Sequence, residues 1–413
     1  MTSEHQADRE FDVIIQGATG FTGTLVAEYL LRQYGIGKDL RWALAGRSKD
    51  KLHDVQKQLG EAANDLDLIV ADSFDKSALQ SLASRTRVVL TTVGPYALYG
   101  SDLVAACVDA GTHYCDLAGE VQWIRKMVDT HHERARETGA KIVHCCGFDS
   151  VPMDIGVWFL QHAAQEKYGQ YCESISMLVK ASKGTASGGT LASMMNLIKE
   201  SRDDRNVART LIHPYSLNPE GDREGPDERD QQRVIYRDDA KSWTAPFVMA
   251  GVNTKVVRRS HALAGFPYGR GFRYDESVMT GRGFSGWLKG TIMTVGIGAL
   301  VFFASYKWSR NLLQRFVLAK PGEGPDRQLQ HEGFFNLMQI GVLADGTVLR
   351  SRITGDQDPG YGSTSKMLSE CAVCLARDEL GVDGGVLTPA AAMGAPLIDR
   401  LRENAGLTFE LRE

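Results

Sequence analysis

The sequence predicts an α/β fold: a doubly wound parallel sheet joined to an α+β middle domain. Three observations carry that expectation. Phe11–Gly23, FDVIIQGATGFTG, is a short apolar run that breaks off into glycines and leads into an amphipathic segment. That pattern reads as strand, turn and helix. Strand-like runs then alternate with helical ones as far as Gly94, the rhythm of parallel strands joined by crossover helices. From Tyr171 the rhythm is lost, and alternating or glycine-rich segments take over.

In chain order, Val13-Ile14-Ile15 is the first strand and Thr24–Tyr34 the first helix, with Leu25, Tyr29 and Leu30 as expected core positions. Between them Gly17, Ala18, Thr19, Gly20, Phe21, Thr22 and Gly23 spell G-x-x-G-x-x-G. Glycines there let the backbone turn tightly and approach a pyrophosphate, whose charge meets the free N–H groups of the helix start. Leu40–Ala45 is a second strand that ends in Gly46-Arg47-Ser48-Lys49, with Asp50 opening the next helix. An acid at this tip binds the ribose 2′-hydroxyl of NAD, whereas an arginine accommodates the 2′-phosphate of NADP. Arg47, with Ser48 behind it, therefore points to NADP(H). A solvated loop of charges is the plainer alternative.

Asp67–Asp72 is a third strand, with Asp72 placed to touch the adenine edge, and Ser77–Ser84 is a short helix. Val88–Val93 is a fourth strand running into Gly94-Pro95-Tyr96. Ligands of such sheets sit beyond the strand carboxyl ends, so Val93, Gly94, Pro95 and Tyr96 are expected along the cofactor. Tyr99 leads into the helix Leu103–Ala110, and Asp116 continues the same edge after a short strand at His113. Val121–Thr138 is an amphipathic helix. Its adjacent His131 and His132 point about 100° apart, so no metal site is expected. Lys141–Gly147 is a further strand. After it, Asp149 and Ser150 either take part in chemistry or cap the helix Pro152–Gln165.

Ser174–Lys180 alternates, Leu191–Ser201 is helical, and Asn218–Gln232 is a polar loop. Gly290–Ser305, GTIMTVGIGALVFFAS, is the most apolar stretch and is flanked by Lys289, Lys307 and Arg310. At about 1.5 Å per residue it is about 24 Å long, short of a clean membrane span. It reads as a buried helix, as a wall dipping into a membrane surface, or as a span. Trp287, Tyr306 and Trp308 suit an interface belt. Phe334–Leu343 and Thr347–Thr354 form a hairpin turning at Asp345-Gly346. A helix follows from Tyr361 through Arg377, and a last one spans Ala390–Arg402 with Pro396 kinking it.

A chain of 413 residues supports two or three domains. Its net charge of −4 argues against nucleic acid as the main partner. Seven scattered cysteines favour a reducing compartment. Cys371-x-x-Cys374 has no second Cys/His pair nearby and reads as two core residues one turn apart. The polar N-terminus predicts no signal peptide. The domains are placed at 1–155, 156–340 and 341–413.

Five ordered motifs resemble the saccharopine dehydrogenase-like oxidoreductases: GATGFTG at Gly17–Gly23, TVGPYALYG at Thr92–Gly100, CDLAGE at Cys115–Glu120, GFDSVPMD at Gly147–Asp154 and GGVLTPAAAMG at Gly384–Gly394. The likeness spans nearly the whole chain and is greatest for the branch with bacterial trans-acting enoyl reductases. It implies an NADP-binding Rossmann domain, a middle domain with a mixed sheet, and a C-terminal segment that returns to the Rossmann domain. Saccharopine reductases carry a GLDPG-type turn where this chain has Gly147-Phe-Asp-Ser-Val-Pro152, a departure that speaks against an amino-acid substrate.

The leading function is hydride transfer from NADPH to an unsaturated acyl, polyketide-like or lipid-like substrate. The nicotinamide is expected beside Gly94–Tyr96 and Asp116. Tyr96, Tyr99, Asp116 and Asp149 are the candidate proton donors. One alternative is saccharopine-type imine or amino-acid reduction, with Arg258, Arg259, Arg270 and Arg273 to hold carboxylates. Another is a non-catalytic NADPH-binding protein at a membrane or lipid surface. The expected partners are a small-molecule or carrier-bound acyl substrate, a membrane touched through 290–305, and a second copy in a homodimer. The expected location is cytoplasmic and membrane-associated.

Overall fold

The first strand, β1 (Phe11–Gln16), is buried along its whole length. Val13 and Ile15 enter one core cluster and Ile14 the other. A strand buried on both faces must lie inside a layered sheet, and each such side chain contributes about 1.5–3 kcal/mol on leaving water. The computed structural model describes residues 9–37, 39–184, 188–305 and 327–412. Tyr306, Lys307, Trp308 and Arg310 lie outside them.

After β1 come α1 (Phe21–Tyr34), β2 (Trp42–Gly46), α2 (Lys49–Leu59), β3 (Asp67–Val70), α3 (Lys76–Ser84) and β4 (Thr86–Thr91). Then follow α4 (Tyr96–Tyr99), α5 (Ser101–Ala110), β5 (His113–Cys115), α6 (Val121–Thr138), β6 (Lys141–Val143) and α7 (Val151–Tyr168). These strands, with β13 (Gly385–Leu387), form a parallel sheet in the order β13-β6-β5-β4-β1-β2-β3. The direction of strand addition reverses between β1 and β4. Such a switch point opens a crevice at the strand carboxyl ends.

In α1 the buried positions are Gly23, Val26, Ala27, Tyr29 and Leu30. Leu25, expected in the core, is only half-buried; it lines a surface cleft with Glu28, Arg32 and Arg327 instead.

The second sheet has the order β14-β12-β11-β7-β10-β9-β8. Its strands are β7 (Ser174–Lys183), β8 (Ile235–Arg237), β9 (Ser242–Pro246), β10 (Arg273–Gly281), β11 (Phe334–Val342), β12 (Val348–Gly355) and β14 (Leu407–Arg412). β10 runs parallel to β7 and every other pairing is antiparallel. Helices α8 (Gly188–Asp203), α9 (Arg205–Ile212), α10 (Ala250–Leu263), α11 (Gly283–Ser305), α12 (Arg327–His331), α13 (Gly362–Arg377) and α14 (Pro389–Glu403) complete the described chain. The β11–β12 hairpin turns at Asp345-Gly346, where Gly346 takes φ 85° and Asp345 accepts from the Thr347 N–H at 2.8 Å. In α14 the break falls at Gly394, two residues before Pro396.

The chain beyond residue 340 serves both sheets: α13 packs on α1 and β13 extends the parallel sheet, while β12 and β14 complete the mixed one. The 340/341 boundary therefore falls inside β11. One core cluster runs from Val13 and Ile15 through Met367 and Cys371 to Phe335 and Ile353, so the two sheets share apolar packing. Cys371 and Cys374 are buried in it as free thiols.

Candidate active site

The glycine turn fits a phosphate because no larger residue fits the turn. Gly17 has φ 92°, and a Cβ there would lie 2.7 Å from Val93 Cγ2, across the switch point. A Cβ on Gly23 would lie 2.2 Å from the Gly17 carbonyl oxygen, so this glycine lets α1 press against the turn. Gly20 is the N-cap of α1 and no side chain caps it. The first-turn N–H groups of Phe21, Thr22 and Gly23 thus face the crevice with the positive end of the helix dipole. Ala18 is fully buried, Thr19 lies against Gly46, and Phe21 sets its ring edge-on to Tyr361.

Arg47 follows β2 directly, is exposed, and forms no ion pair among the described residues. Ser48 behind it is the N-cap of α2, its Oγ accepting from the Lys51 N–H at 3.4 Å. Asp72 closes a turn of its own by accepting from the Phe74 N–H. Arg47 thus leaves an unpaired cation at the β2 tip, where a ribose 2′-phosphate would sit, while Ser48 and Asp72 are engaged in local turns. Val93, Gly94 and Pro95 line the exit of β4, where Val93 N–H donates to Thr91 Oγ1.

The four candidate proton donors do not form one cluster: Tyr96 and Asp116 lie close enough to interact, while Tyr99 turns elsewhere. Tyr96 is buried, and its hydroxyl donates to the Thr91 carbonyl and accepts from the Leu117 N–H, both at 3.2 Å. Burial and then Asp116 push this phenol well above its ordinary range. It fastens β4 to the β5 loop and has no proton to spare for a substrate. Tyr99 turns towards the β3 side, with its ring 5.6 Å from that of Phe74. Asp116 is fully buried. It accepts from Tyr114 Oη, Ala118 N–H and Cys145 N–H and sits 2.7 Å from His144 Nδ1. It is a structural hub joining β5 to β6, not an acid at the nicotinamide edge as expected. His144 Nε2 on its far side is buried with no partner among the described residues.

Asp149 differs from all three. It is half-buried, in the loop that leaves the carboxyl end of β6, and accepts no hydrogen bond among the described residues. Burial raises its carboxyl to about 6. The loop around it is pinned: Phe148 N–H donates to Thr364 Oγ1 at 3.0 Å, and Ser150 Oγ donates to Asn253 Oδ1 at 3.0 Å. Neither Asp149 nor Ser150 caps α7 with its side chain. The capping expectation fails because Ser150 is drawn to α10 instead.

Sequence reasoning missed two groups. Glu120 accepts from Tyr96 N–H, Ala97 N–H and Ser193 Oγ, so it caps α4 and ties it to α8; burial raises its carboxyl. Asn253 Nδ2 and Tyr274 Oη both donate to Glu276, which burial raises to about 8. This chain of polar groups runs from Ser150 into the second sheet. The carboxylate-binding role expected of the middle-domain arginines is contradicted for two of them. Arg258 pairs with Asp227 at 2.8 Å, and buried Arg259 donates to the carbonyls of Leu217 and Val386.

A glycine turn at a switch point, an uncapped helix start and an arginine after β2 with no ion pair among the described residues define a dinucleotide-binding domain. Residues 13–143 match the saccharopine dehydrogenase NADP binding domain. Over 406 residues the chain is 43% identical to a putative trans-acting enoyl reductase of Mycobacterium tuberculosis, covering 95% of this chain and 96% of the relative. It is 39% identical over 410 residues to a trans-acting enoyl reductase of Mycobacterium bovis, covering 96% of each. The fold is similar to that of saccharopine dehydrogenase (L-Glu forming) from Saccharomyces cerevisiae, with a TM-score of 0.54 at 11% identity, over 97% of this chain and 99% of that one. The chain belongs to the saccharopine dehydrogenase-like oxidoreductases, on the branch that holds the trans-acting enoyl reductases, and is an NADP-dependent reductase.

Proposed function

We propose that the chain reduces the carbon–carbon double bond of an enoyl group conjugated to a carbonyl, on an acyl or polyketide-like substrate, with Asp149 as the proton donor. The observation that carries this reading is Asp149 itself: a partly exposed acid, uncommitted to the fold, on a pinned loop at the ligand edge of the sheet. NADPH, when bound, supplies the hydride. The chain's own part is to hold the cofactor through the Gly17–Gly23 turn and Arg47, and to deliver a proton.

When hydride adds at the β-carbon, the double-bond electrons move to the α-carbon and its carbonyl, and the α-carbon must then be protonated. A carboxyl raised to about 6 keeps a useful fraction of acid near neutral pH, where proton transfer is most effective. The anchors from Phe148 to Thr364 and from Ser150 to Asn253 fix that acid before substrate arrives, which lowers the cost of orientation. That the relatives are trans-acting enoyl reductases by name supports a substrate carried by a separate protein. Imine reduction is disfavoured because Arg258 and Arg259 are already held by the fold.

The test is NADPH consumption with 2-enoyl thioesters, compared with glutamate plus an aldehyde. Turnover with the thioesters and formation of the saturated acyl product are expected. Turnover only with the amine and aldehyde pair would overturn the reading.

A further inference from the structure

We propose that α11 and the adjoining β8–β9 ribbon form a docking face for an anionic lipid bilayer. Gly283–Phe303 has the length and apolarity of a membrane-crossing helix, yet only 11% of its apolar 18-residue stretch is buried. A core helix of that composition would be largely enclosed, so the buried reading of 290–305 fails.

The inner side of α11 is built of small residues that seat it on the second sheet. A Cβ on Gly286 would lie 2.3 Å from the Gly281 carbonyl oxygen, and one on Gly290 would lie 3.1 Å from Val234 Cγ1 and Thr280 Oγ1. The outer side carries Phe284, Trp287, Leu288, Ile292 and Val295, with Phe284 74% and Ile292 and Val295 each 64% exposed. On α-helical spacing these five cover an arc of about 140°. Ile235 and Tyr236 of β8 are exposed on the neighbouring strand pair.

Charge selects the occupant. Lys241, Arg282 and Lys289 are exposed at the foot of the helix and form no ion pair among the described residues. Arg282 Nε donates to the Lys241 carbonyl at 3.1 Å, which holds two of the cations together. Nearby Arg237 is neutralised by Asp239 and Asp275, and Asp238 is the acid left in the β8–β9 turn. A convex apolar arc with cations on its rim and tryptophan at one end matches the acyl boundary and headgroups of an anionic leaflet. A two-fold contact with a second copy would place each cationic rim in the same interface as its twin, where like charges oppose association.

The experiment is sedimentation of the full chain with vesicles of phosphatidylcholine alone, and of phosphatidylcholine with phosphatidylglycerol. Binding to the anionic vesicles is expected. Lys241→Ala, Arg282→Ala and Lys289→Ala should each weaken it roughly fivefold, and Ile292→Asp with Val295→Asp should weaken it more than about tenfold. NADPH affinity should be unchanged in every variant and reports that each is folded. Failure of the intact chain to sediment with anionic vesicles would overturn the proposal. So would variants that bind like the parent, or an apolar-face variant that only dissolves a dimer.

Discussion

Replacing Arg47 by alanine removes the one charge that stands directly after β2, and its effect on cofactor choice follows from its surroundings. The guanidinium is exposed and makes no ion pair among the described residues, so its loss leaves no buried partner stranded and should not disturb the fold. A hydrogen bond to a charged group contributes about 1.5–3 kcal/mol. At an exposed site solvent and salt screen that value, which argues for its lower end. The expected loss is roughly tenfold in NADPH affinity, shrinking as salt is raised, with NADH affinity unchanged because NADH has no 2′-phosphate. Ser48 is occupied as the cap of α2 and does not replace the arginine. The assay is a fluorescence titration of both cofactors against parent and variant. Equal affinity of the parent for NADPH and NADH, or an unchanged ratio in the variant, would refute the reasoning.

Asp149→Asn should remove the proton donor and lower kcat at least roughly a hundredfold, while the parent should lose activity above pH of about 6 as its acid ionises; a pH–rate profile that continues unaltered in the variant would contradict this. Asp116→Ala should act on stability, because it strands Tyr114 Oη, His144 and two backbone N–H groups in the core. A loss of about 3–5 kcal/mol is expected in denaturant melts, and a stable variant with lost turnover would return Asp116 to the catalytic list. Glu276 keeps its proton in the folded chain up to about 8, whereas the unfolded chain releases it in the ordinary carboxylate range. Its contribution to stability is therefore complete in acid and is lost progressively as pH rises from the ordinary carboxylate range to about 8, by roughly 3–5 kcal/mol in all. Glu276→Gln should flatten that part of the stability–pH curve, and an unchanged slope would show that another group is responsible.

Local pattern was enough for the parts of the molecule that local pattern builds. Val13-Ile14-Ile15 followed by three glycines announced the cofactor turn, because a strand, a tight turn and a helix start are all specified within a dozen residues. Asp345-Gly346 announced its hairpin for the same reason. The roles of Asp116 and Tyr96 were not legible. Each lies in a motif rich in reactive groups, but part of what disarms it comes from elsewhere: His144 is 28 positions after Asp116, and Leu117 is 21 after Tyr96. Ser150 looked like a helix cap until Asn253, 103 residues away, claimed its hydroxyl. Glu120 gave no signal beyond its place before a helix. Composition showed that 290–305 is apolar but not which way it faces, and exposure is settled by how α11 seats on the second sheet.

The most direct test of the account follows the atoms. NADPH carrying deuterium at its transferable position is incubated with the chain and a 2-enoyl thioester in ordinary water, and the product is read by mass spectrometry and NMR. The account predicts one deuterium at the β-carbon and one solvent hydrogen at the α-carbon of a saturated thioester, with incorporation slowed in Asp149→Asn. Deuterium on a carbonyl or imine carbon, or none in the product while NADPH is consumed, would contradict it.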